Sequence, residues 1–160
     1  MSLSFEDFKL NRQILNAVAD AGYTLPTPIQ EKAIMPILSG QDIMGIAQTG
    51  TGKTAAFTLP LLQRLAKYAS SSPSPARHPV RALILAPTRE LAAQVEESVR
   101  TYGKHLPLTS MVMFGGVGMQ PQIDRLRKGV DILVATPGRL LDHHQQGTLD
   151  LSKVQIFVLD

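Results

Sequence analysis

Hydrophobic and polar positions change period repeatedly along this chain. Ile14, Leu15, Val18 and Ala21 recur at helical spacing, with Asn11 placed to cap the helix and Gly22 to end it. Thr27-Pro28 opens a second helix, a cap followed by proline at the first helical position; Pro36 is expected to break it near Met35, and Gly40 closes the region. Ile43–Ala47 is a short apolar run that reads as a buried strand, with Lys53–Tyr68 as the helix behind it. Farther on, strands are predicted at 82–86, 109–114, 131–135 and 155–159, alternating with helices at 89–102, 119–128 and 137–145. Alternation of this kind builds βαβ units, so the fold class is α/β: a parallel sheet with helices on both faces. Between helix and strand, Ala69–Pro79 (ASSSPSPARHP) is expected to be a mobile surface loop and not a domain boundary.

Composition refines this picture in three ways. A chain of 160 residues that is 44% hydrophobic can form one core, burying about 70% of its unfolded surface. It has no cysteine, which excludes disulfides and thiolate metal sites and fits a reducing, cytoplasmic setting. The start, Met1–Asp7, is acidic and lacks an apolar segment, so no secretory signal is expected. No apolar run approaches the roughly 18 residues of a membrane span. The net charge of +3 is unevenly spread: residues 61–128 carry ten Lys/Arg against four acids, whereas 1–60 is −1 and 129–160 is −2. A basic middle suits a polyanionic partner, and it equally suits a solvated helical face.

The sharpest chemical signal is Ala47-Gln48-Thr49-Gly50-Thr51-Gly52-Lys53-Thr54. Consecutive backbone N–H groups of such a loop turn inward around phosphate oxygens, and the following helix aims its positive dipole end at them. Lys53 supplies a point charge for the β/γ-phosphates, and the Thr54 hydroxyl is a Mg²⁺ ligand. Ala47 stands where the strict pattern has glycine; Gly50 and Gly52 still provide the backbone freedom of a tight turn.

In an open α/β sheet, ligands sit beyond the carboxyl ends of the strands. Strand 82–86 runs into Pro87-Thr88-Arg89-Glu90, strand 109–114 into Gly115-Gly116, and strand 131–135 into Thr136-Pro137-Gly138-Arg139. Singly, each reads as a helix cap. Together they describe a groove that follows a sugar–phosphate backbone without reading bases. Gly116-Val117-Gly118 hints at a dinucleotide fingerprint, but Pro121 occupies the third glycine's place. Gln30 has two readings. Thr27-x-x-Gln30 is a capping box, and the Gln30 amide is also the donor–acceptor complement of adenine N6–H and N7. Phe5 reads either as core or as a ring stacked on the same base.

These segments resemble a known family. Gly22-Tyr23-Thr24-Leu25-Pro26-Thr27-Pro28-Ile29-Gln30, with Phe5 seventeen residues before Gly22, is similar to the Q motif of DEAD-box RNA helicases. Ala47–Thr54 resembles their motif I, Pro87–Leu91 motif Ia, Gly115-Gly116 the GG element and Thr136–Arg139 motif Ib; Val158-Leu159-Asp160 resembles the opening of motif II. The wording as a whole is most similar to the bacterial RhlE-like group. The resemblance implies a RecA-like ATP-binding lobe over 1–160, with Phe5 and Gln30 on adenine. Gln48, Thr49, Gly50, Thr51, Gly52, Lys53 and Thr54 would lie on the phosphates, and Thr54 and Asp160 on Mg²⁺. It also implies RNA contacts from Pro87, Thr88, Arg89, Gly115, Gly116, Thr136, Pro137, Gly138 and Arg139, and a second RecA-like lobe as partner.

The resemblance further places a glutamate after Asp160, a Ser-Ala-Thr motif and the second lobe's arginines in catalysis. Residues 1–160 alone are therefore expected to bind ATP without turning it over. A strand expected between the phosphate-loop strand and the Asp160 strand is also missing from these residues, so on their own they are expected to be marginal, rearranged or associated. Two other classes remain open at this point: a nucleotide kinase or other P-loop enzyme, and a non-catalytic RNA- or protein-binding fragment.

Overall fold

A computed structural model describes residues 3–45 and 52–160. The chain forms two compact units, one made of residues 1–67 with 98–106 and the other of residues 68–97 with 107–160.

The first unit is helical. A single 3-10 turn, Phe5–Phe8, precedes α1 (Arg12–Asp20), α2 (Pro28–Leu38) and α3 (Lys53–Leu65), and α3 runs on as a 3-10 turn over Ala66–Tyr68. Asn11 caps α1 as expected, its side-chain oxygen accepting from the Ile14 N–H at 3.0 Å, while its own N–H donates to Gln63 Oε1 on α3 at 2.7 Å. Past the end of α1, Gly22 takes φ +87, a left-handed geometry that favours glycine. Helices α2 and α3 pack on each other through buried apolar residues, among them Ile34 on α2 and Leu59, Leu61, Leu62 and Leu65 on α3.

Two expectations fail in this unit. Pro36 does not end its helix, which continues to Leu38. A proline so near a C-terminus forfeits one bond, and the last turn is held by Ser39 N–H to Met35 O at 3.0 Å and Gln41 N–H to Pro36 O at 3.0 Å. The strand expected from Ile43 is not formed over the described residues 43–45. Met44 is 91% exposed, and no strand among the described residues of this unit offers the hydrogen-bonded neighbour that a strand requires. Ile46 and Ala47, with Gln48, Thr49, Gly50 and Thr51, lie outside the described residues.

The second unit holds the sheet. Strands β1 (Ala82–Leu85), β2 (Ser110–Met113), β3 (Ile132–Ala135) and β4 (Ile156–Leu159) are all parallel, in the spatial order β2-β3-β1-β4. The connections are α4 (Arg89–Tyr102), whose last turn belongs to the first unit, α5 (Met119–Arg127) and α6 (Pro137–Gln145). Leu83, Met111, Met113, Leu133 and Ala135 share one face and form a core with Leu126 of α5, Leu140 of α6 and Leu149, Leu151 and Val154 of the segment beyond. On the other face Ala82, Ile84, Ile132 and Val134 are fully buried. Burial on both faces is why β1 and β3 read as continuous apolar runs, whereas Phe157 and Leu159 of β4 are exposed.

The Ser/Pro-rich segment lies on the surface, with Ser71 and Pro73–Arg77 exposed, and is tied down at its end. It forms a 3-10 turn at Pro75–Arg77 and ends in the buried His78, whose Nδ1 lies 2.9 Å from Asp131 Oδ2 and whose Nε2 lies 2.8 Å from Ser72 O. Asp131, also fully buried, accepts from the Thr109 N–H at 2.7 Å and from Thr109 Oγ1 at 3.1 Å. One carboxylate thus ties the loop to the starts of β2 and β3.

Candidate functional site

Parallel pairing brings the strand ends level. Leu85 of β1 and Met113 of β2 both pair with Ala135 of β3. The segments 86–89, 114–118 and 136–139 therefore leave one edge of the sheet together, and each opens a helix. Peptide dipoles gather partial positive charge where helices start, and the first turns of α5 and α6 contain no acid.

At the centre stands the Gly115-Gly116 turn, flanked by two arginines. The Arg89 guanidinium lies over the Phe114 ring, 4.5 Å from its centroid. Gly116 has φ +80, and a Cβ there would come within 3.2 Å of Arg89 Nη1. On the other side, a Cβ on Gly115 would meet Arg139 Nη2 at 3.9 Å. Pro87, Thr88, Arg89, Gly116, Pro137 and Gly138 are exposed. Thr88 caps α4, its Oγ1 accepting from the Leu91 N–H at 3.2 Å. Thr136 makes no side-chain cap bond to α6, and its N–H donates to Met113 O at 3.1 Å.

Arg139 sits differently from the open phosphate contact its motif suggests. Its side chain is only 10% exposed, with Nε 3.6 Å from Asp142 Oδ2. Nη1 donates to Val117 O at 3.0 Å and to Gln122 Oε1 at 3.2 Å. It grips the turn from behind. Sequence reasoning passed over Gln122 and over His143, which Gln122 meets; both lie on polar positions of amphipathic helices, where nothing local marks them as buried.

In the first unit, the end of the glycine-rich loop adjoins the Thr27 turn. Gly52 caps α3 with φ +84, and a Cβ there would stand 2.5 Å from Gln30 Nε2 and 2.9 Å from Thr27 Oγ1. The site admits only glycine. Lys53 and Thr54 form the first turn of α3, which contains no acid, so the helix end is electrostatically open to an anion. Half of the expected capping box is well made: Gln30 Oε1 accepts from the Thr27 N–H at 3.0 Å. The other half is loose, since the buried Thr27 Oγ1 has no hydrogen-bond partner among the described residues. Gln30 Nε2 donates to Gly52 O at 3.1 Å. An amide has two N–H groups and two lone pairs on its oxygen, so capping consumes one of each and leaves one of each. Gln30 is itself buried, and capping of Thr27 with the bond to Gly52 O is what this geometry shows of it. Phe5 is buried, edge-on to Phe8 at a centroid separation of 6.3 Å. Asp160, in the second unit, donates its N–H to Leu85 O at 2.9 Å at the end of β4.

Residues 27–160 match the DEAD/DEAH box helicase family. The chain belongs to that family. Its relatives include the ATP-dependent RNA helicase DeaD of Escherichia coli K12, 48% identical over 158 residues, with 98% of this chain and 24% of the relative covered. The ATP-dependent RNA helicase dhh1 of Aspergillus clavatus is 46% identical over 158 residues, covering 99% of this chain and 30% of the relative. A third, DHH1 of Kluyveromyces lactis, is 45% identical over 157 residues, 98% of this chain and 29% of its own. The chain thus spans less than a third of the length of these curated relatives. Membership in the DEAD/DEAH box helicase family leaves the nucleotide-kinase reading without support. Among the described residues no helix is long and apolar enough to cross a membrane.

Proposed function

We propose that this chain is an ATP- and RNA-binding lobe, RecA-like in kind, of a cytoplasmic ATP-dependent RNA helicase, with a second such lobe as its partner in the whole protein. The observation that carries the reading is the level edge of the sheet. Three small-residue segments leave it side by side, each at a helix start, with two arginines around a glycine pair whose second member, Gly116, has a left-handed backbone that disfavours a side chain. Such an edge takes phosphates in succession and has few groups aimed at bases.

The nucleotide half rests on the fit at α3. Lys53 would hold the β/γ-phosphates, Thr54 and Asp160 the Mg²⁺, the loop 48–52 the phosphate oxygens, and Gln30 with Phe5 the adenine. Bound ATP-Mg supplies the phosphoryl group whose transfer to water the whole protein couples to local duplex opening. This chain's own residues do the binding and orientation. Residues 1–160 alone are proposed to bind without appreciable turnover. The name that the relatives carry, ATP-dependent RNA helicase, supports the same reading.

Gln30→Ala tests the adenine contact. The ratio of ATP to GTP affinity should fall about tenfold, the worth of one lost pair of base-edge bonds, with triphosphate binding retained. Unchanged discrimination would leave the capping role alone.

Gly116→Ala tests the RNA edge. The substitution forces a Cβ into a left-handed backbone, at roughly 1 kcal/mol, and crowds Arg89. Affinity of the whole protein for unrelated single-stranded RNAs should drop about fivefold, and to a similar degree for each, as backbone contacts do. A loss confined to one sequence would mean base readout, and no loss at all would remove the edge as the RNA site.

A further inference from the structure

Helix α6 begins at the candidate interface and, one turn after Arg139, carries a fully buried histidine, His143. Its Nε2 lies 2.8 Å from Gln122 Oε1, and its Nδ1 lies 2.8 Å from Thr148 Oγ1. Gln122 Oε1 only accepts, and already receives Arg139 Nη1, so Nε2 carries the ring proton and donates. With the ring neutral, the Thr148 hydroxyl donates to Nδ1. Gln122 Nε2 in turn donates to Phe114 O at 3.1 Å, while Arg139 Nη1 donates to Val117 O. The carbonyls at both ends of the 114–117 turn are held, Phe114 O by the nitrogen of the Gln122 amide and Val117 O by Arg139, and the oxygen of that same amide receives both Arg139 and His143.

We propose that His143 is a positioning residue for the RNA backbone: as a neutral imidazole it locks Gln122, which sets the 114–117 turn and Arg139 in the arrangement that receives the strand. This rests on the RNA reading above. It goes beyond that reading because His143 is buried, and its ring hydrogen-bonds to Gln122 and Thr148 rather than lying at the RNA edge itself.

The electrostatics agree. Burial, and then the Arg139 guanidinium, hold the His143 pKa below the ordinary 6.5, with Asp142 opposing. Arg139 and Asp142 lie on its own helix; among the described residues its hydrogen-bond partners from α5 and from the turn after α6 are the neutral Gln122 and Thr148. Protonation has a ready geometry, since the Thr148 hydroxyl can turn to the His143 carbonyl at 3.0 Å and accept from Nδ1. It places a buried cation near Arg139. Because the folded-state pKa is depressed, the folded arrangement is favoured above the unfolded value of 6.5 and loses that advantage as pH falls below it.

The test measures the affinity of the whole protein for a single-stranded RNA oligonucleotide from about pH 8 to about pH 5.5, with amide exchange at Gly115, Gly116 and Val117. His143→Leu should weaken binding about tenfold at neutral pH and speed exchange in the turn. His143→Gln places an N–H near the Nε2 position without a titrating group. It should restore affinity to within about twofold and abolish the weakening that the unchanged protein shows on acidification. If His143→Leu does not fold, Thr148→Val removes the other anchor at constant volume and should speed exchange in the same turn. Wild-type affinity and exchange in the variant that folds would overturn the proposal, and so would an undiminished acid weakening in His143→Gln. Should the unchanged protein bind no RNA at any pH, the RNA reading falls and exchange alone decides: faster exchange upholds the positioning of the turn, and unchanged exchange overturns it.

Discussion

Lys53→Ala in the whole protein should abolish ATP turnover, lowering kcat/KM by at least about a hundredfold, with the melting temperature unchanged. Lys53 is the first residue of α3, directly after Gly52 in its left-handed conformation. With no acid in that first turn, the lysine charge and the helix dipole act in the same direction, on whatever anion the loop holds. Phosphoryl transfer depends on placing charge against the transferring oxygens, so alanine removes a contribution that strengthens toward the transition state. Lys53→Arg should not rescue, because a wide planar fork cannot replace a compact ammonium at a turn already crowded by Thr27 and Gln30. Turnover by Lys53→Ala within threefold of the parent would remove the α3 end as the triphosphate site.

Asp131→Ala should produce the largest loss of stability among substitutions outside the binding surfaces, about 3–5 kcal/mol. The carboxylate is fully buried and receives His78 Nδ1, the Thr109 N–H and Thr109 Oγ1. Removing it leaves the His78 Nδ1 and the Thr109 N–H without that acceptor in an interior where each unmet partner is costly. A drop in melting temperature of roughly 10 °C follows for a chain of this length. Proteolysis should then begin between Ser70 and Arg77, where the loop is held at its ends by Ser70 N–H to Pro107 O and by His78, and between them by short bonds within its serines. A melting temperature within 2 °C of the parent would show that the carboxylate is dispensable.

Features carried by neighbouring residues were legible in the sequence. Asn11 caps α1, Thr27-Pro28 starts α2, Pro137 opens a helix over 137–145, and the four apolar runs from 82 onward pair in parallel. Each depends on contacts within one turn or, for β1 and β3, on burial of both sheet faces. What was not legible pairs residues far apart in the chain. His143 meets Gln122 across 21 positions and His78 meets Asp131 across 53, and no local period marks either pair. Over its described residues 43–45 the run predicted from Ile43 forms no strand for a related reason, because an apolar run becomes a strand only where another strand is beside it. Arg139 was legible in kind, a cation at the sheet edge. Its attachment to Val117 O was not, because that bond depends on how the turn folds back over α5 and α6.

The sheet order β2-β3-β1-β4 also has a consequence for how the molecule is made. β3 lies between β1 and β2 yet is synthesised after both. A growing chain that has emerged only as far as Met113 holds two strands whose shared neighbour does not yet exist. They must wait, or pair wrongly, until residues 132–135 insert between them. Insertion late in synthesis is slow, because it closes long stretches of chain before any contact rewards the closure. The edge proposed to receive RNA is therefore one of the last features to mature: on that proposal, a nascent chain would not grip a nucleic acid through it until the central strand is in place.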